Sequence, residues 1–153
     1  MINVNVFSEE KAWSKRLKNK RLFFKKICKA FPKKYQFLNK KVSFSLLLSN
    51  NKNIKKLNRT FRNKNKSTDV LSFPYYKKIK ISKNTYLGDI IISYDYLDKP
   101  ETQDLKLFKE KVVKIFVHGF LHLLGFDHKK NNDYSTMLKE ENLLYKLVKK
   151  KIK

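Results

Sequence analysis

Apolar Ile2, Val4 and Val6 alternate with Asn3 and Asn5 at the start of the chain. That two-residue period is the mark of a half-buried strand, predicted over Ile2–Phe7. Ser8, Glu9 and Glu10 then offer a hydroxyl cap and an acidic first turn for a helix. The spacing of Trp13, Leu17, Phe24, Ile27 and Cys28 predicts one helix running to about Ala30, stopped by Phe31-Pro32. Alternation returns at Val42, Phe44, Leu46 and Leu48, a second strand. Asn50–Asn58 predicts a short helix using Ile54 and Leu57. Two more strands are predicted at Asp69–Tyr75 and Tyr86–Ser93, joined by a hairpin loop over Lys77–Asn84. Pro100 opens a linker. From about Gln103 to Leu124 the period is helical, through Leu105, Phe108, Val112, Ile115 and Phe116 to His118, Leu121 and His122. A last helix is predicted from about Asp133, carrying Met137, Leu138, Leu144, Tyr145 and Val148. The order β-α-β-α-β-β-α-α predicts an α+β fold, a small mixed sheet of about four strands packed with helices. No repeat or Pro/Gly/Ser linker divides the chain. Residues 1–153 therefore read as one domain, with 149–153 a frayed tail.

Composition adds charge and little else. The 153 residues are 41% apolar and 14% aromatic, which argues against wholesale disorder. The single cysteine, Cys28, forms no internal disulfide. The N-terminal MINVNVFSEE lacks a basic stretch followed by an apolar core, and no apolar run reaches about 18 residues. A cytoplasmic protein without membrane association is expected. The net charge of +24 suits polyanionic partners, because cationic surfaces release counterions from phosphate backbones. Yet 33 of the 37 basic residues are Lys, beside abundant Asn, Ile, Phe and Tyr, a profile that an AT-rich genome also produces. Charge alone leaves both explanations open.

The chemistry concentrates in VHGFLHLLGFDH, residues 117–128, which holds all three histidines of the chain. His118 and His122 are four apart and share a helical face, so two imidazole nitrogens can converge on one cation. A third ligand requires the chain to turn. Gly125 tolerates the left-handed conformation common just past a helix end, and His128 can then return. The spacing parallels the H-E-x-x-H-x-x-G-x-x-H zinc pattern, a zincin-like helix and turn. Three protein ligands plus water is the arrangement of catalytic zinc, so one Zn2+ ion is expected on His118, His122 and His128. Gly119 stands where zinc peptidases place their general-base glutamate, which removes the main catalytic group of a peptidase. With all three imidazoles committed to metal, none remains for a Ser-His or Cys-His nucleophile. Asp127 has two readings. It caps the turn, or it hydrogen-bonds a ligand histidine or acts on a proton, which makes it a catalytic candidate.

The stretch H-G-F-L-H-L-L-G-F-D-H, His118 to His128, resembles the signature H-G-x-L-H-L-x-G-Y/F-D-H of the YbeY-type endoribonuclease family. LNRTFRNKNKSTDVLSFP, Leu57 to Pro74, resembles a second family segment, and Leu87-Gly88-Asp89-Ile90 a third. Met137 and Glu141 fit the family's usual ending. Arg59 occupies a variable position and Ser67 stands where the family often has Pro; residues 8–40 add little. The resemblance implies a metal-dependent, single-strand-specific endoribonuclease acting on ribosomal RNA. It implies roles in small-subunit 3′-end maturation and ribosome quality control, with single-stranded RNA and the small ribosomal subunit as partners and no DNA. It implies zinc on the three histidines and a catalytic or RNA-contacting role for Arg62. A guanidinium is an unusual choice in a chain with four arginines, and its planar donors can grip two phosphate oxygens. The alternative for Arg62 is a solvated helix end or an ion pair with Asp69 or Asp89. Ser72 reads as a satisfied core hydroxyl, and Phe73, Tyr75 and Tyr76 read as core more than as base platforms. Two other functions stay in view: a zinc metallopeptidase-like hydrolase, and a non-catalytic ribosome assembly factor with a structural metal.

Overall fold

A computed structural model describes residues 1–100 and 103–152. The linker expected after Pro100 and the last residue of the expected tail fall outside them. Strands β1 (Ile2–Ser8), β2 (Lys41–Ser49), β3 (Val70–Pro74) and β4 (Asn84–Ser93) form one sheet in the order β1-β2-β4-β3. β1 and β4 run parallel to β2, and β3 pairs antiparallel with β4 across the lysine-rich loop. Among the described residues six helices accompany the sheet: α1 (Trp13–Arg16), α2 (Lys20–Lys29), α3 (Asn51–Arg62), α4 (Tyr94–Leu97), α5 (Leu105–Leu123) and α6 (Asn131–Lys149). This is the α+β architecture with a mixed four-stranded sheet that the alternation predicts.

Each strand sorts its side chains onto two faces. Phe44, Leu46 and Leu48 of β2 face one way with Ile90 and Ile92 of β4, fully buried in the main core with α2, α5 and α6. Leu47 and Ile91 face the other way, against Ile54 and Leu57 of α3. α5 is held hardest. Phe116 lies 5.1 Å from the ring of Phe24 and 5.8 Å from Phe44, and Phe120 lies 4.8 Å from Phe31 and 5.5 Å from Phe44. Each such buried ring contributes about 1.5–3 kcal/mol. The helix that carries the first two histidines therefore starts from a rigid base.

Three differences from the expected elements have local causes. The single helix predicted from Ser8 to about Ala30 is two, because Leu17 is extended and Asn19 accepts a hydrogen bond from the Leu22 amide. That cap satisfies an orphan N–H at a new helix start. Ser8 caps nothing; its hydroxyl donates to the Glu10 carbonyl. The apolar positions spaced for one face, Trp13 to Cys28, are buried all the same. Second, α3 continues past Asn58 to Arg62. Asn58 stays inside the helix and donates to the Lys66 carbonyl, 2.9 Å away, and Asn63 ends it in the left-handed region at φ 56°. Third, Tyr75 and Tyr76 are not core. They lie beyond the end of β3 and are 66% and 46% exposed, while Phe73 is half-buried against Phe61.

β4 carries a bulge, since Ser43 pairs with Tyr86 but Ser45 pairs with Asp89. Gly88 sits in it at φ +134°, and a Cβ there would lie 2.2 Å from the Phe73 carbonyl oxygen. The extra residue puts Tyr86 and Asp89 on one face, where the Tyr86 hydroxyl donates to the Asp89 carboxylate at 2.5 Å.

α6 is fastened to the rest of the chain through Glu140. Its carboxylate accepts from the Tyr35 hydroxyl at 2.5 Å and the Lys34 ammonium at 2.8 Å. Burial works to raise its pKa, but the hydrogen bonds from Lys34 and Tyr35 and the charge of Lys34 outweigh it and hold the carboxyl below its ordinary value. A depressed carboxyl stabilises fully above the unfolded pKa and loses that contribution as pH falls through the folded value. Glu140→Gln is expected to cost about 1 kcal/mol at neutral pH, one partner being exposed. Urea unfolding is expected to show the gap to wild type closing below about pH 4.

Candidate metal centre

α5 is buried on more than one side through Val112, Val113, Phe116, Val117, Phe120 and Leu121, which leaves a narrow remaining face. His118 and His122 occupy it, one turn apart and half-buried. Between them, Gly119 lets the helix sit close to the sheet. A Cβ at Gly119 would meet Ile90 Cγ2 at 3.0 Å and Ser72 Oγ at 3.1 Å, and the Ser72 hydroxyl donates to the Gly119 carbonyl at 3.0 Å. Ser72 is thus the satisfied core hydroxyl expected of it. The glutamate of a zinc peptidase has no room here, so the missing residue reflects packing as well as chemistry.

The helix ends in a Schellman turn. The Phe126 amide donates to the Leu121 carbonyl at 3.1 Å and the Gly125 amide to the His122 carbonyl at 3.0 Å. Gly125 takes φ +94°. Phe126 packs against the core, which fixes the exit direction, and His128 comes back beside its partners. Its ring centroid is 5.1 Å from that of His122 and 5.7 Å from that of His118. The potential ligand atoms of the three histidines all lie within 4.8 Å of one another.

The hydrogen bonds fix which nitrogen of two rings is free. His122 Nδ1 is 2.9 Å from the Phe126 carbonyl oxygen, and a carbonyl only accepts. The proton is therefore assigned to Nδ1, and Nε2 presents a lone pair. His118 Nδ1 is 3.0 Å from a Glu141 carboxylate oxygen, which assigns its proton the same way. The two Nε2 atoms, both lone-pair donors, are 3.1 Å apart. Zinc–nitrogen bonds of about 2.0–2.1 Å at a tetrahedral angle place ligand nitrogens about 3.3–3.4 Å apart. The donor set fits one divalent ion. Burial, then the neighbouring His118, lowers the pKa of His122 below the ordinary imidazole value, so it stays neutral and ligand-competent at lower pH than a free histidine.

Of the other sequence candidates, Asp127 is close but otherwise employed. Its Oδ1 accepts from the His128 amide at 2.7 Å, the turn-capping geometry. Arg62 lies at the end of α3, and α3 covers the opposite face of the sheet from α5. Its side chain is exposed, and among the described residues neither an ion pair with Asp69 or Asp89 nor a contact with the histidines involves it. Glu141 is the residue whose role the sequence reading passed over. It falls in the stripe Met137, Glu141, Leu144, Val148, spaced as the buried face of α6, so a carboxylate on an apolar stripe was the available signal. It stands behind His118 as carboxylates stand behind zinc-bound histidines elsewhere.

Helix, glycine turn and supporting carboxylate place the protein in the class with a three-histidine centre compatible with a metal ion. Comparison with known proteins narrows the class. The family model described as Endoribonuclease YbeY matches residues 5–149. The Endoribonuclease YbeY of Pelagibacter ubique (strain HTCC1062) is 58% identical over 152 residues, 99% of each chain. That of Bartonella henselae is 34% identical over 151 residues, covering 96% of this chain and 94% of its own. This chain belongs to the Endoribonuclease YbeY family. The solution structure of TM1509 from Thermotoga maritima shares the fold, with a TM-score of 0.56 and 24% identity over 97% of this chain and 89% of that one.

Glu141→Gln is expected to weaken metal binding about 10- to 100-fold with the fold retained. Competition against a chromophoric chelator measures it, and unchanged affinity would remove Glu141 from the centre.

Proposed function

We propose that this chain is a zinc-dependent, single-strand-specific endoribonuclease that matures the 3′ end of small-subunit ribosomal RNA in the cytoplasm and serves ribosome quality control. The observation that carries this reading is the pair of imidazole lone pairs converging 3.1 Å apart, within reach of a third histidine, in a chain of this family. His118, His122 and His128 would hold the ion. When bound, such an ion supplies Lewis acidity toward a phosphoryl oxygen and acidifies water. Zinc suits the all-imidazole donor set and the near-tetrahedral spacing.

The protein's own residues do the rest. Glu141 and the Phe126 carbonyl keep the His118 and His122 rings in one tautomer and orientation. The Schellman turn holds His128 in place, and Asp127 stiffens the turn through the His128 amide. Arg62 stands where the chain passes from α3 toward the edge strand β3. Its exposed guanidinium is free to grip two oxygens of a phosphodiester on RNA crossing that edge. The basic surface draws the polyanion in. No helix of the described residues is long and apolar enough to cross a membrane.

A metallopeptidase reading lacks the general base, and the space it would occupy is filled by Ile90 and Ser72. A purely structural metal is separated from a catalytic one by two variants. Arg62→Ala is expected to keep fold, metal and most RNA affinity yet to cut cleavage of a precursor ribosomal RNA at least tenfold, about 1.4 kcal/mol of transition-state stabilisation. His118→Ala is expected to lose both ion and cleavage. Full cleavage by both variants would leave the endoribonuclease reading without its site. The product ends tell the two routes apart: a 2′,3′-cyclic phosphate with a 5′-hydroxyl marks attack by the RNA's own 2′-hydroxyl, and a 5′-phosphate with a 3′-hydroxyl marks attack by water.

A further inference from the structure

The centre occupies one face of the sheet, and the other face is only partly roofed. α3 covers Leu47 and Ile91 at one end. At the other end the floor is open and forms a groove of about 1160 Å³ bordered by Asn3, Ser43, Tyr75, Tyr76, Tyr86 and Lys83. We propose that this groove is a base-stacking subsite for single-stranded RNA flanking the cleaved bond, an inference that rests on the endoribonuclease reading above.

The aromatic rings are the first argument. Tyr75 is 66% and Tyr76 46% exposed, a large apolar area for residues just past a strand end. The Tyr75 amide is satisfied by the Leu87 carbonyl at 2.9 Å, so the backbone is tied down while the ring projects outward. Tyr75 contacts Tyr76 at 4.9 Å and Tyr86 at 5.9 Å between centroids, both edge to face, which gathers three rings into one cluster. The bulge at Gly88 completes it, because it turns Tyr86 toward the open face together with Asp89.

Charge is the second argument, and it sets the orientation. Lys41 and Lys83 are exposed at the rim, joined by the hydrogen bond from the Lys41 amide to the Lys83 carbonyl at 2.7 Å. The Asp89 carboxylate, which accepts from the Tyr86 hydroxyl, lies outside the groove, in the adjoining pocket lined by Leu57, Phe61 and Phe73. A phosphate is repelled from the Asp89 side of Tyr86 and attracted to the lysine rim. Bases therefore lie over the tyrosines, with Asn3 and Ser43 able to hydrogen-bond their edges, while the backbone follows the lysines. An apolar peptide would find amide and hydroxyl groups on the floor and cations at the rim, and is disfavoured.

The test uses the full chain and a fluorescent, 2′-O-methylated oligouridine of about 12 nucleotides, read by anisotropy. The paired variant Tyr75→Ala, Tyr76→Ala is expected to bind at least about tenfold more weakly, with an unchanged salt dependence because no charge is lost. The pair Tyr75→Phe, Tyr76→Phe is expected to bind within about twofold of wild type, since stacking survives. In wild type, 5-bromouridine RNA is expected to photocrosslink to the peptide carrying Tyr75 and Tyr76. Wild-type affinity in the alanine pair, or crosslinks confined to other peptides, overturns the proposal and leaves the groove to another partner. RNA too short to reach the groove is expected to be cleaved equally by wild type and the alanine pair. If the wild type cleaves no RNA of any length, the endoribonuclease reading fails, and the binding and crosslinking results still judge the groove.

Discussion

The Nε2 atoms of His118 and His122 converge to 3.1 Å, close enough to share one cation. Their tautomers are not free to change. A carbonyl oxygen holds the proton on Nδ1 of one ring and a carboxylate holds it on the other. A cation between the rings would take both lone pairs, and a third imidazole delivered by the Schellman turn would supply a further donor. The rest of the structure serves this convergence. Phe116 and Phe120 lock α5 into the core, Gly119 lets it settle on the sheet, and Glu140 fixes α6 so that the next residue, Glu141, meets His118.

The sequence made the centre legible because its parts are local. His118 and His122 need only the helical period, and Gly125 needs only the geometry of a helix end. The strands were legible for a similar reason, since Ile2 to Val6 and Val42 to Leu46 alternate without interruption. What escaped depends on competition or on long-range pairing. Nothing in the apolar spacing from Trp13 to Cys28 shows that Asn19 will cap a second helix. The β4 bulge exists because Gly88 can pass close to Phe73, a contact between strands that no local pattern reports. Tyr75 and Tyr76 continued a strand-like run and were read as core, but the run ends at Pro74. Glu141 sat on a visible apolar stripe, yet its partner is on another helix.

The sheet separates two kinds of surface. On the α5 side stand the histidines, at the edge of a dense core. On the α3 side stand Arg62, at a helix end stiffened by Asn58 and Asn63, and the open tyrosine groove. Edge strand β3 lies between them: Ser72 bonds to α5 on one face, and Phe73 packs on Phe61 of α3 on the other. An RNA strand that uses both surfaces has to pass over this edge. A flexible polyanion held on two sides of a sheet would gain most from distributed charge, which the net charge of +24 can supply.

The most direct measurement is X-ray absorption on the purified full-length protein loaded with zinc, together with metal counting. One ion per chain is expected, with three imidazole nitrogens at about 2.0–2.1 Å and one oxygen ligand, and loss of that signature in His128→Ala. Wild-type protein that holds no ion yet cleaves RNA fully in the presence of a strong chelator would contradict it.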